Sequence, residues 1–130
     1  MKFGYTIVYV PDVTKSIEFF EQAFGIKRRF VHESGDYGEL DTGATTLAFA
    51  AISLGHSNLP DGLLAPSESV NPIGIEIALV TDDVEGACST AQQHGAVVLA
   101  EPTIKPWGQT VAYVRCPDGA LVELCTPMSS

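Results

Sequence analysis

The sequence predicts an α+β protein made of two copies of one β-α-β-β-β module that build a common cavity. Three observations carry this. Gly4-Tyr5-Thr6-Ile7-Val8-Tyr9-Val10-Pro11-Asp12-Val13 is echoed by Ile75-Glu76-Ile77-Ala78-Leu79-Val80-Thr81-Asp82-Asp83-Val84. In each copy a β-branched strand runs into Asp-Val, then into a helical pattern that stops at a glycine, Gly25 or Gly95. The repeat is longer than a solenoid repeat and occurs only twice, which points to a duplicated module and not to an array.

The elements follow from periodicity. Tyr5 to Val10 is β-branched and aromatic, hence a strand. Val13, Ile17, Phe20 and Phe24 share one helical face, Asp12 or Thr14 supplies the N-cap, and Gly25 ends the helix. Ile26 to His32 and Tyr37 to Thr42 read as strands around a Ser34-Gly35-Asp36 turn, and Thr45 to Ile52 as another strand. Ser53 to Pro72 is too rich in Ser, Pro, Gly and Asn for a core element and reads as a linker, either a lid carrying Leu63 and Leu64 or a plain surface crossover. In the second copy, Ile75 to Val80 is a strand, and Val84, Ala87, Cys88 and Ala91 form the stripe of a helix. Strands follow at Val97 to Ala100, Thr110 to Arg115 and Leu121 to Cys125, the last two joined by the Pro117-Asp118-Gly119 turn. The chain is therefore one domain, with module one at about residues 1–52, the linker at 53–72 and module two at 73–128.

Composition removes several classes of function. A net charge of −9 argues against nucleic acid and anionic membranes as partners. Lys27-Arg28-Arg29 is the one basic cluster and reads as a solvated strand end. No apolar run reaches the length of a membrane span. Cys88, Cys116 and Cys125 are odd in number and widely spaced, which suits a reduced, cytoplasmic setting, and the strand pattern starts at the N-terminus without a signal peptide. The sequence holds neither a phosphate-cradling glycine loop nor a readable nucleophile-histidine arrangement.

Three passages resemble the vicinal oxygen chelate superfamily, which includes glyoxalase I, bleomycin-resistance and fosfomycin-resistance proteins and extradiol dioxygenases. They are Val10-Pro11-Asp12-Val13-Thr14-Lys15-Ser16-Ile17-Glu18-Phe19-Phe20 with Phe24-Gly25, Asp82-Asp83-Val84 with Gly95, and Cys116-Pro117-Asp118-Gly119 with Val122-Glu123-Leu124. The third resembles the family's Asp-Pro-Asp-Gly turn and glutamate-bearing strand, with Cys116 in place of the first Asp. The resemblance covers nearly the whole chain. It implies two paired modules with mixed sheets around a U-shaped cavity, commonly completed in a homodimer. In metalloenzyme members it also implies four His, Gln or Glu ligands on the inner sheet face.

At those four places this sequence has Tyr5, the stretch Leu47-Ala48-Phe49, Glu76 and Glu123. Only the two glutamates are strong ligands, since a phenol with a pKa near 10 binds a metal poorly. No resident cofactor is expected, and a weakly held divalent metal at Glu76 and Glu123 is the alternative. His32, His56 and His94 resemble no metal motif and read as surface or capping residues.

Strand alternation then sketches the cavity. Tyr5, Ile7 and Tyr9 share one face, as do Glu76, Ala78 and Val80, and Leu121, Glu123 and Cys125. Glu76 and Glu123 in an apolar cavity would raise one carboxyl's pKa, unless Glu76 simply points into solvent. Trp107, in Pro106-Trp107-Gly108-Gln109, offers a flat face and Gln109 a donor and an acceptor. An equal reading makes Trp107 a plug for the end of the sheet. The expected ligand-binding residues are thus Tyr5, Tyr9, Phe49, Glu76, Trp107, Gln109 and Glu123, with Glu39 outside the site. The expected ligand is a small aromatic or cationic molecule, held without a typical metal site. The alternatives are a metal-dependent lyase, isomerase or dioxygenase of the glyoxalase type using Glu76 and Glu123, and a metal-free enzyme with a glutamate base.

Overall fold

The computed structural model describes residues 1–128. The strands are β1 (Tyr5–Val10), β2 (Arg28–Val31), β3 (Tyr37–Leu40), β4 (Thr46–Ala51), β5 (Glu76–Val80), β6 (Val97–Ile104), β7 (Thr110–Arg115) and β8 (Leu121–Cys125), and the helices are α1 (Val13–Phe24), α2 (Ile52–Asn58) and α3 (Val84–Gln93). The two mixed sheets have the orders β1-β4-β3-β2 and β5-β8-β7-β6. In each, the first strand of the module lies parallel to the last, and the other pairs are antiparallel. The repeat seen in the sequence is therefore a repeat of topology.

The helix ends obey their local signals. The Asp12 carboxylate accepts a hydrogen bond from the Lys15 N–H, and the Asp83 carboxylate does the same for Gly86. These bonds satisfy donors that a helix start leaves free. Gly25 closes α1 at φ 69°, a left-handed position open to glycine at little cost.

Helices α1 and α3 pack on one another. Their apolar stripes (Val13, Ile17, Phe20; Val84, Cys88, Ala91) join the helix-side residues Leu47, Phe49, Val114, Val122 and Leu124 in one buried cluster. Ser16 of α1 donates a hydrogen bond to the Asp118 carboxylate at 2.7 Å, and the other oxygen of Asp118 accepts the Ala120 N–H at 3.0 Å. The Pro-Asp-Gly turn of module two is thereby tied to the helix of module one.

Two expectations are corrected. The linker starts as a helix, α2, within the stretch expected to be irregular. It has no side-chain N-cap and contains Ser, Gly, His and Asn, so propensity does not explain it. Packing does, because buried Gly55 lies where a Cβ would come within 2.9 Å of the Tyr9 ring and still closer to Leu63. Strand β6 also runs on to Ile104, through Pro102, with register shifts. An edge strand tolerates a proline because one row of its backbone groups has no strand partner.

The rest of the linker is fastened to module two. Arg115 donates to the carbonyls of Gly119, Pro66, Ser69 and Val70 at 2.8–3.2 Å. A guanidinium satisfied by four carbonyls anchors this segment as a strap over the Pro-Asp-Gly turn.

Candidate functional site

With both helices on one side, each sheet turns its other face outward. Tyr5 is 59% exposed, Ile7 42% and Val80 65%, so within one chain the open faces do not close on each other. The expected cluster of Tyr5 and Tyr9 with Glu76 and Glu123 is therefore split, the tyrosines on the sheet of module one and the glutamates on that of module two.

On module two, Tyr113 pairs with Glu123 across β7 and β8, and Glu123 with Ala78 across β8 and β5. Paired residues in a sheet point to the same face, so Tyr113, Glu123 and Ala78 form one row. The Tyr113 hydroxyl donates to Glu123 Oε1 at 3.0 Å. Glu76 lies two pairs further along β5, opposite Leu121, and Cys125 two pairs the other way, opposite Val80, so both stay on this face. Partial burial raises the pKa of the Glu76 carboxyl, and hydrogen bonding and charge from Glu123 raise it further. The Tyr113 phenol is also pushed up, first by its bond to Glu123 and then by burial. Glu76 is exposed and shares a sheet face with Glu123, near enough for the two carboxyls to interact, and Tyr113, which the sequence reading did not single out, bonds Glu123.

A carboxyl group raised in the folded state binds more protons there than in the unfolded chain. Glu76 thus favours folding below its ordinary pKa, and that contribution is lost as pH rises through the raised value. Glu76→Gln should therefore gain stability relative to the parent as pH climbs from about 4 toward neutrality. Thermal melts of both proteins across that range check the sign.

The open face of module one differs. Glu39 is buried, accepts the Tyr37 hydroxyl at 2.8 Å and is bridged by Arg29 at 3.3 Å. Arg29 also reaches Thr46 and Asp41. Glu39, expected to lie outside the site, sits on the open face beside Ala48, but its charge is already matched. Tyr5 stands near Tyr37, whose own pKa is raised by burial and by Glu39.

Phe49 is corrected. It is fully buried and packs on Phe20 with ring centroids 5.2 Å apart, so it belongs to the core and not to the open face. The β1–β4 register places it beside Val8, while Ala48 lies beside Ile7. Trp107 and Gln109 are bound to each other at the end of the second sheet. The indole N–H donates to Gln109 Oε1 at 2.7 Å, and Gln109 Nε2 donates to the Thr126 carbonyl at 2.8 Å. Both amide functions of Gln109 are thus engaged in closing that end, although Trp107 remains 58% exposed. Tyr9 lines an apolar cleft of about 230 Å³ at the seam between modules, with Ile7, Leu63, Leu64, Ile73 and Ile75. A larger cleft of about 390 Å³ lies on the helix side near Lys15, His94 and Asp118, where Asp118 is already satisfied by Ser16 and Ala120.

The donor set can be tested against a metal. The open-face positions are Tyr5 on β1, Ala48 on β4, Glu76 on β5 and Glu123 on β8. Among the described residues, no group of three or more His, Cys, Asp or Glu side chains is placed to hold a metal ion. Two carboxylates and a distant phenol do not match a tight zinc or nickel site.

A family model for the Glyoxalase/Bleomycin resistance protein/Dioxygenase superfamily matches residues 2–124. The chain belongs to this superfamily. A probable lactoylglutathione lyase of Vibrio cholerae is 32% identical, with 92% of this chain and 86% of that protein covered. The lactoylglutathione lyase of Escherichia coli O157:H7 is 28% identical over 95% of this chain and 91% of that one. Among solved structures, a glyoxalase-related enzyme from Fulvimarina pelagi superposes with a TM-score of 0.82 at 16% identity, covering 98% of this chain and 88% of that one. A superfamily enzyme from Burkholderia phytofirmans gives 0.78 at 19% identity, with 95% and 96% covered. At these identities the structural likeness establishes the fold. Among the described residues of this superfamily member, no helix is long and apolar enough to cross a membrane.

Proposed function

We propose that this protein binds a small organic cation, with an apolar or aromatic body, on the open face of module two, without a resident metal. One observation carries the reading: Glu76 and Glu123 share a sheet face, and among the described residues neither is in an ion pair with a cationic side chain. On the open face of module one, by contrast, Glu39 is paired with Arg29. A ligand cation supplies that partner, and its apolar body finds Ala78, Val80 and Leu121.

A second copy of the chain is proposed to complete the cavity. Tyr5, Ile7, Val80 and Ile75 are 42–74% exposed, more apolar open-sheet surface than a lone domain of this size normally leaves in water. Sedimentation velocity is expected to show a dimer at micromolar concentration, and a stable monomer there would contradict this part of the proposal.

Calorimetric titration with aromatic amines and their neutral isosteres tests the binding claim. The cations should bind and the isosteres should not. Glu123→Gln is expected to weaken the cations by about 2 kcal/mol, because a hydrogen bond between charged groups is lost on a partly buried face. Equal binding of neutral isosteres, or an unaffected Glu123→Gln, would reject it.

A metal-dependent lyase is the second reading, favoured by the identity to proteins named lactoylglutathione lyase and by Glu123 at the family's glutamate position. In that case Glu76 and Glu123 would be the ligands. Elemental analysis finding about one transition metal per chain would move this reading to first place.

A further inference from the structure

We propose that Arg29 is the resident cation of module one: its guanidinium fills an oxygen-lined place on the open face and keeps divalent metal out of that half of the cavity. The inference extends the metal-free reading above, from the donors that are missing to the residue that enforces their loss. A bulge aims Arg29 there. Strand β2 pairs with β3 at Arg28–Leu40 and next at Phe30–Glu39, so Arg29 is the extra residue between the two pairs. A bulge of this kind re-aims a side chain. Arg28 turns back to Glu21 on α1, whereas Arg29 reaches Glu39 and Thr46 on the open face.

Oxygen atoms surround the guanidinium. Nη1 donates to Glu39 Oε1 and to Thr46 Oγ1, each at 3.3 Å, and Nη2 lies 3.6 Å from Asp41 Oδ1. Carboxylate and hydroxyl oxygens are the donors that hard divalent cations use, and here they hold an organic cation. The strand register sets where this happens. Tyr5 lies beside Thr46, and Ala48 lies between Ile7 and Glu39. Paired residues point to the same face. Arg29 is thus bonded to one residue in each of the two rows that carry Tyr5 and Ala48, the module-one positions where metalloenzyme members of the superfamily carry ligands. Ala48 is fully buried and has no donor atom in its side chain, and a metal ion brought to these rows would meet a fixed positive charge. All of these contacts lie within one sheet, so none depends on a second copy.

Removing the guanidinium has a definite consequence. Glu39 is 8% exposed and would be left without its cation. A buried carboxylate without a partner is costly. Glu39, Thr46 and Asp41 would then face the vacated place, and a divalent ion that prefers oxygen ligands becomes the favoured replacement.

The test compares the full-length parent with Arg29→Met in millimolar Mn2+, reading thermal melts by circular dichroism and bound Mn2+ by electron paramagnetic resonance. Mn2+ is expected to raise the melting temperature of Arg29→Met by about 3 °C or more beyond any shift in the parent. The variant should also bind about one Mn2+ per chain more than the parent does. If Arg29→Met is unfolded without metal, the same expectation becomes recovery of the folded spectrum when Mn2+ is added. Arg29→Met/Glu39→Gln removes the charged oxygen ligand as well and should lose the gain. No gain in Arg29→Met, or an equal gain in the double variant, would overturn the proposal. Metal held by the parent at Glu76 and Glu123 would reject the metal-free reading alone, because this inference is decided by the gain on removing Arg29 and by its dependence on Glu39.

Discussion

Phe49→Ala is expected to lower the stability of the fold by about 3–5 kcal/mol, because it removes a fully buried ring and leaves a cavity that neighbours cannot fill. The ring meets Phe20 at 5.2 Å, and Phe20 in turn meets Phe24 at 5.1 Å, so the loss falls on the contact between the first sheet and α1. Urea denaturation with fixed slope measures it. Phe49→Leu, which keeps most of the volume, should stay folded and bind organic cations as the parent does. A loss below about 1 kcal/mol for Phe49→Ala, in the range of an exposed site, would place the ring outside the core.

Gly119→Ala should cost about 3 kcal/mol or more, combining backbone strain with a steric clash. Gly119 has φ +91°, and an added Cβ would lie 2.5 Å from the carbonyl carbon and oxygen of Pro66. Those are backbone atoms of the strap that Arg115 holds, so they cannot yield by a side-chain rotation. Gly95→Ala provides the comparison. Its φ is also positive, at +107°, but its nearest neighbour is the Pro117 ring at 3.5 Å. It should lose only about 1 kcal/mol, from the backbone alone. Equal losses at the two glycines would mean that the strap is not packed on the turn as described. Limited proteolysis at residues 59–64 should also accelerate in Gly119→Ala, since the strap borders that stretch.

The fold was legible because its signals are local and occur twice. Gly25 and Gly95 mark helix ends, Asp12 caps the first helix as its position suggests, and Pro117-Asp118-Gly119 turns between β7 and β8. Strand parity correctly grouped Tyr5 with Ile7, and Glu76 with Ala78 and Val80, because burial alternates along β1 and β5. It failed at Phe49 because almost every residue of β4 is buried, which leaves no polar alternation to tell one face from the other. The place of Glu39 depended on Arg29, ten residues away on another strand, a pairing that no local pattern announces. Tyr113 could have been found. It and Glu123 are equidistant from Asp118 at the centre of a tight hairpin, which sets them opposite each other. Helix α2 had no signal beyond Gly55, because contacts with Tyr9 and Leu63 hold it and not the propensity of its own residues.

The central claim is that the ligand site is the carboxylate row on the open face of module two. NMR chemical-shift mapping with benzylamine tests it most directly, using side-chain carboxyl, methyl and amide signals of the labelled protein. The expected perturbations fall on Glu76, Ala78, Tyr113, Glu123 and Cys125. Perturbations confined to the helix-side cleft around Lys15 and His94, or to the seam around Leu63 and Ile73, would contradict it.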